Sequence, residues 1–289
     1  MSISVALIHM KLKPLARKAN LEKARKLVKE AALKGARMAV LPSFVNSGPF
    51  FLYYPRARNK VIAKNQAERI PGNTSEYLSM VAIENGVYLV AGPIVERAGP
   101  KLFLTTIVIA PNGSIVTKYR KISRNGVDEE LGISPGRQPV VIQDLKRPLG
   151  IMSEDDIFYP EIARSLILGG ATAMIVTLRP GFDPERLKLM LLARSFENKV
   201  PILAVGSSFE TPEGIIEVPT VVVDPQSGIV EEINEPKDTF LLVEVLEKPN
   251  NLRDIIEATL ETKSLSTVLC KAARDSLVEN YAASLRLAT

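Results

Sequence analysis

The feature that most constrains this chain is an order of strand-like and helix-like stretches that occurs twice before residue 250. Val5 to Met10 alternates and reads as a strand. Pro14 to Lys34 reads as an amphipathic helix, with Leu21, Ala24, Leu27, Val28 and Ala31 on its inner face. Met38 to Leu41 is a short buried strand closed by Pro42. Thr74 to Asn85 is a helix that Thr74 or Ser75 can cap, with Leu78, Val81 and Ala82 facing inward. A strand at Val87 to Ala91 precedes a hairpin, Thr105 to Ala110 and Ile115 to Tyr119, turning at Pro-Asn-Gly. The second half repeats this: strand Leu149 to Met152, helix Pro160 to Gly169 with proline in its first turn, strand Ala173 to Thr177, helix Asp183 to Asn198, strand Pro201 to Val205. A hairpin then joins Val218 to Val223 with Ile229 to Glu232, and Phe240 to Val245 is the last strand. No linker-like stretch separates the halves. The expected α/β architecture is one body, residues 1–249, of two stacked sheets with helices outside. From 250 to 289 the apolar residues recur at helical spacing, which predicts two or three helices docked on the body or on a partner subunit.

Residue counts exclude several chemistries. The chain has one cysteine, Cys270, and one histidine, His9, so it has no internal disulfide, no cysteine metal cluster and no histidine-rich metal site. Cys270 reads as a small buried apolar residue, and His9, on the first strand, as a satisfied core or edge histidine. Sparse cysteine and a strand-like start point to a cytoplasmic protein. No stretch reaches the roughly 18–20 apolar residues of a membrane span. The net charge is +5. Ten basic residues lie between Lys11 and Arg37 against two acidic ones. That density could contact nucleic acid or acidic lipid. It fits a solvated helix face better, since no aromatic residue interleaves to stack a base. Abundant Lys, Arg and Glu with four glutamines hint at a thermophilic source.

The strand at Leu149 runs straight into three acids, Glu154, Asp155 and Asp156. They could ligate a metal, act as catalytic acids, or stand where another residue belongs. Alternation along a strand would send Glu154 and Asp156 to one face. Magnesium needs few carboxylates but a fixed octahedron, so metal ligation is the weaker reading of this run. Asp155 is expected to be solvated or salt-bridged.

Several blocks, in order and spacing, resemble the nitrilase superfamily of carbon–nitrogen hydrolases. They are Val5-Ala-Leu-Ile-His-Met10, Ala39-Val-Leu-Pro42, Ile70-Pro-Gly-Asn-Thr-Ser75, Gly86-Val-Tyr-Leu-Val-Ala-Gly92, Leu102-Phe-Leu-Thr105, Ala110-Pro-Asn-Gly113, Lys118-Tyr-Arg-Lys121, Ser134-Pro-Gly136, Asp156 through Glu161, and Ala193-Arg-Ser-Phe-Glu-Asn198. No single block is specific; together they cover about residues 3 to 246. The resemblance implies a four-layer αββα sandwich that pairs into homodimers or larger homo-oligomers. It also implies C–N bond cleavage by a Glu base, a Lys that stabilises the tetrahedral intermediate, and a Cys nucleophile.

Carried over residue by residue, the family lysine is Lys121. The residue after Leu41-Pro42, where the family has its base Glu, is Ser43. The family Cys lies six residues before the proline matched by Pro160, and that position holds Glu154. A second family Glu, which helps position substrate, is matched by Glu129, with Glu130 adjacent. Leu104 replaces a family Asn. Ser153 neighbours the elbow but should point to the other strand face, and Ser43 has no histidine to activate it. The resemblance therefore implies a protein that has lost thiol-dependent hydrolysis and serves a binding, regulatory or partner role, with Glu154 ion-paired to Lys121 in the nucleophile's place. Phe44, Phe50 and Phe51 are expected to be able to occlude the pocket. The alternatives are altered chemistry on C–N bonds by Lys121 with Glu154 or Glu129, and nucleic-acid binding by the basic helix. A small-molecule ligand fits the pocket. No cofactor, metal or membrane partner is expected.

Overall fold

The computed structural model describes residues 2–143, 145 and 147–246, and in the tail Glu257, Leu260, Glu261 and Leu265, all helical. The expected docking of the 250–289 helices and the burial of Cys270 lie outside the described residues.

Two six-stranded sheets have the same strand order. In the first, Ser2–His9, Met38–Val40 and Tyr88–Ala98 run parallel side by side. Lys101–Ile109 and Ile115–Arg120 extend one edge antiparallel, and Thr239–Leu246 pairs antiparallel along the other. In the second, Leu149–Ser153, Ala173–Thr177 and Ile202–Val205 are the parallel centre. Thr220–Asp224 and Gly228–Ile233 extend one side, and Val140–Ile142 pairs on the other. The repeated order in the sequence is thus a repeated sheet. The strand beside Leu149–Ser153 comes just before it, whereas the strand beside Ser2–His9 comes from the far end of the repeat.

Strand alternation divides the core into layers. Val5 and Leu7 pack between the sheets with Leu149, Ile151 and Tyr119. Ala6, Ile8 and Met152 turn outward, into the cluster that holds the helix faces. Helices Arg17–Leu33 and Asn73–Asn85 cover the first sheet; Pro160–Leu168 and Pro184–Asn198 cover the second. This is the αββα sandwich. The inner stripe Leu21, Ala24, Leu27, Val28 and Ala31 is buried as its spacing requires. Basic residues on this helix pair with acids elsewhere, Arg25 with Glu84 at 2.9 Å, Lys23 with Asp238 at 3.1 Å and Arg17 with Glu68 at 3.2 Å.

Local differences from the sequence reading have local causes. The helix expected from Thr74 starts at Asn73, with Gly72 as its cap residue. Ser75 reaches back, its Oγ accepting from Gly72 N at 2.9 Å, while Thr74 donates to Glu68 instead of capping. Periodicity missed helices Arg56–Gln66 and Gly126–Leu131 and the hairpin Ser207–Thr211 with Gly214–Val218. The first two lack a clear apolar stripe. His9 is fully buried, with Nδ1 2.9 Å from Thr220 Oγ1 and Nε2 3.3 Å from Ser208 Oγ, so both ring nitrogens are satisfied within the core. No described helix is long and apolar enough to cross a membrane.

Candidate functional site

Three of the residues that concern chemistry lie just past the carboxyl ends of parallel strands, where open α/β sheets place their ligands. Ser43 follows Met38–Val40, Glu154 ends Leu149–Ser153, and Arg179 follows Ala173–Thr177. Lys121 arrives from the first sheet, one residue beyond its edge strand.

Glu154 opens a 3₁₀ turn, Glu154–Phe158, with φ +56°. A non-glycine residue seldom takes this left-handed conformation. The bend breaks strand alternation and corrects the expectation that Glu154 and Asp156 converge. Glu154 and Asp155 go together toward Lys121. Asp156 turns away and braces the elbow, accepting from Tyr119 Oη at 2.6 Å and from the backbone of Ser123 at 2.9 Å and of Ser153 at 3.0 Å. Burial raises the Asp156 carboxyl despite those donors, and raises the Tyr119 hydroxyl well above its ordinary value. Ser153 keeps the strand rhythm. Its Oγ lies between the sheets, 2.9 Å from Thr106 Oγ1 and 3.3 Å from Thr177 Oγ1, occupied by hydroxyls and not by Lys121.

Lys121 Nζ donates to Asp155 Oδ2 at 2.5 Å and to Asp128 Oδ2 at 2.6 Å, and lies 3.5 Å from Glu154 Oε2. The expected Lys121–Glu154 pair therefore exists, but as the longest of three. Arg179 completes the cluster, with Nη2 3.0 Å from Asp155 Oδ1 and Nε 3.4 Å from Glu154 Oε2. Its guanidinium stacks 4.7 Å from the Phe182 ring centre. Lys121, Asp128, Glu154, Asp155 and Arg179 are all buried. Asp128 is aimed by its helix: Asn125 caps Gly126–Leu131, its Oδ1 accepting from Asp128 N at 2.9 Å, and Asn125 Nδ2 also donates to Asp155.

Two cations face three carboxylates, one negative charge too many for a dry site. Glu154 absorbs the excess. Burial is the largest influence on it and pushes its carboxyl up to about 8, against the pull of Lys121 and Arg179. Neither of its oxygens has a hydrogen-bond partner. Burial alone would lower Lys121, but the acidic groups gathered around it hold its ammonium above the ordinary range. With its carboxyl pushed up to about 8, Glu154 holds its proton at neutral pH, which relieves the cluster of its excess negative charge.

Of the four positions expected from sequence, the structure joins Lys121 and Glu154. Ser43 is fully buried, and its Oγ bonds neither of them. Phe44, Phe50 and Phe51 pack edge to face beside it, with ring centres 5.3–6.3 Å apart. Glu129 does not join the cluster: its side chain is 64% exposed and lies 3.6 Å from Arg124. The preceding residue, Asp128, reaches Lys121 instead. The spacing Asn125-x-x-Asp128 is a capping pattern that could have pointed to it. Arg179 could have been found from its place at a strand end. Asp155 is salt-bridged and buried.

The sequence profile of the carbon-nitrogen hydrolase family matches residues 4–245. An omega-amidase of Xenopus tropicalis is 34% identical over 194 residues, 63% of this chain and 66% of that protein. The chain thus aligns with just under two thirds of that relative. A nitrilase of Pyrococcus abyssi is 35% identical over 202 residues, 68% of this chain and 72% of its own. Among solved structures, a double mutant of the amidase from Nesterenkonia sp. AN1 in complex with acrylamide superposes with a TM-score of 0.75 at 22% identity, covering 91% of this chain and 97% of that one. At that identity the likeness speaks for the fold. With the family profile spanning most of the chain over the same four-layer sandwich, this protein belongs to the carbon-nitrogen hydrolase family of the nitrilase superfamily.

Proposed function

We propose that this protein does not perform thiol-dependent hydrolysis of nitriles or amides and acts as a binding, regulatory or partner subunit on a hydrolase scaffold. One observation carries this reading: Lys121, the cation matched to the intermediate-stabilising lysine, is bonded to Asp128 and Asp155 at 2.6 and 2.5 Å inside a buried cluster. An ammonium so engaged has little left to offer a developing oxyanion. The two positions that should supply a base and a thiolate carry Ser43 and Glu154. Neither a serine without a base nor a protonated carboxyl is a useful nucleophile.

A second reading has one observation in its favour. A carboxyl held near pKa 8 is protonated at neutral pH and could act as a general acid beside Lys121. Ammonia release from simple amides and nitriles separates the two, measured for the native chain, Glu154→Ala and the double variant S43E/E154C. The expected result is no turnover by the native chain. Turnover by the native chain that E154A abolishes would overturn the proposal in favour of altered chemistry.

The protein is also inferred to self-associate. Leu189 and Phe196, seven residues apart on one face of Pro184–Asn198, are 61% and 43% exposed. Tyr159 and Leu168 flank the neighbouring helix and are similarly bare. Cytoplasmic residence remains part of this proposal, resting on the chain's sparse cysteine.

A further inference from the structure

A polar cavity of about 630 Å³ adjoins the edge strand Ile115–Arg120 on the face away from the charged cluster. Tyr119 packs between the sheets, so alternation turns Lys118 and Arg120 to the outer side. The cavity is lined by these two, by Lys101 and Phe103 of the next strand, and by Ser134 and Arg137 of the segment beyond Ile133. Beneath it lies Glu96, 2% exposed, which accepts from Lys118 Nζ at 2.8 Å and from Arg120 Nε and Nη2 at 2.8 and 2.9 Å. Thr105 donates a further bond at 2.7 Å. One buried carboxylate thereby fixes two cationic heads side by side, and Arg120 is further held 4.1 Å over the Phe103 ring. Lys101 and Arg137 are exposed and have no ion-pair partner among the described residues.

Four cations thus face one anion across a concave wall. Glu96 offsets one charge, leaving an excess of three. A concave surface of one sign focuses its field on whatever enters. Guanidinium forks match phosphate oxygens two at a time, and lysines add point charges. A single phosphate carries about two charges at neutral pH and would leave the excess unmatched, whereas a diphosphate carries about three. The volume is that of a small-molecule site, within the roughly 300–1,000 Å³ range, not of an extended groove for a nucleic acid. We propose that this cavity binds a small molecule bearing a diphosphate or longer phosphate chain. The site is independent of the reading given for Lys121 and Glu154, although Gly136, in the cavity wall, donates its N–H to the Lys121 carbonyl at 2.7 Å.

Calorimetric titration of the full chain tests this with inorganic pyrophosphate and, separately, ATP, at low and at physiological salt. Saturable binding of one pyrophosphate per chain is expected, weakened about tenfold or more in K101E/R137E, whose side chains leave Glu96 untouched. It should be unchanged in K26E/K29E, an equal change of charge on the exposed face of the first helix. If K101E/R137E fails to fold, K101Q/R137Q reads the same loss. Equal affinity for ATP and pyrophosphate assigns the energy to the phosphates; tighter ATP adds a nucleoside contact in the same cavity. Absence of saturable binding, or equal weakening in both charge variants, overturns the proposal.

Discussion

The ammonium of Lys121 stands 3.5 Å from Glu154 but 2.5 Å from Asp155, the next residue along. The residue matched to the nucleophile is therefore not the lysine's main partner. The lysine is held by its neighbours, and Glu154 sits against it as the protonated member of the set.

Replacing buried Lys121 should cost more stability than breaking a surface ion pair. Lys121→Met leaves Asp128 and Asp155 buried with Arg179 as the sole cation. Removing one partner of a buried ion cluster costs about 3–5 kcal/mol. Urea unfolding at neutral pH should show a loss of that order, and a loss under about 1 kcal/mol would mean the cluster is open to water.

The Glu154 carboxyl gives a signed pH dependence. Below its ordinary value of 4.5 both folded and unfolded chains hold the proton. Between 4.5 and about 8 the unfolded chain releases it while the folded chain keeps it, so stability falls as pH rises; above about 8 the cost is constant. Glu154→Gln removes this titration. Relative to the native chain, E154Q should gain stability from pH 5 toward pH 8, by up to about 1.4 kcal/mol per unit. Denaturation curves across that window check it, and parallel profiles for the two chains would refute the assignment.

Asp156 braces the elbow through three accepted hydrogen bonds. Asp156→Ala strands the Tyr119 hydroxyl and two backbone N–H groups in the core. Unsatisfied buried donors cost about 1–3 kcal/mol each, incompletely additive, so thermal melting should drop by many degrees. Ser153→Ala, which loses only shared hydroxyl bonds, should cost about 1 kcal/mol.

Self-association should depend on the bare face of Pro184–Asn198. L189E/F196E introduces like charges on any interface built from that face and leaves the core alone. Sedimentation velocity should show the native chain as a dimer or larger and the variant shifted toward monomer. A native monomer would remove this part of the proposal.

Much of this protein was legible in its sequence. Repeated alternation of apolar period determines two sheets with outer helices, because a strand or helix with one apolar face must bury it. Unbroken spacing from Gly150 to Pro160 placed Glu154 at the elbow, and Lys121 was marked by its block. What only the tertiary structure decided is which acids meet the lysine. That depends on the left-handed backbone at Glu154, which redirects Asp155 by a bend no strand period anticipates. It depends also on the Asn125 cap, which aims Asp128 inward and leaves Glu129 in solvent. Adjacent acids look alike in sequence; backbone direction gives one a buried partner and leaves the other in water.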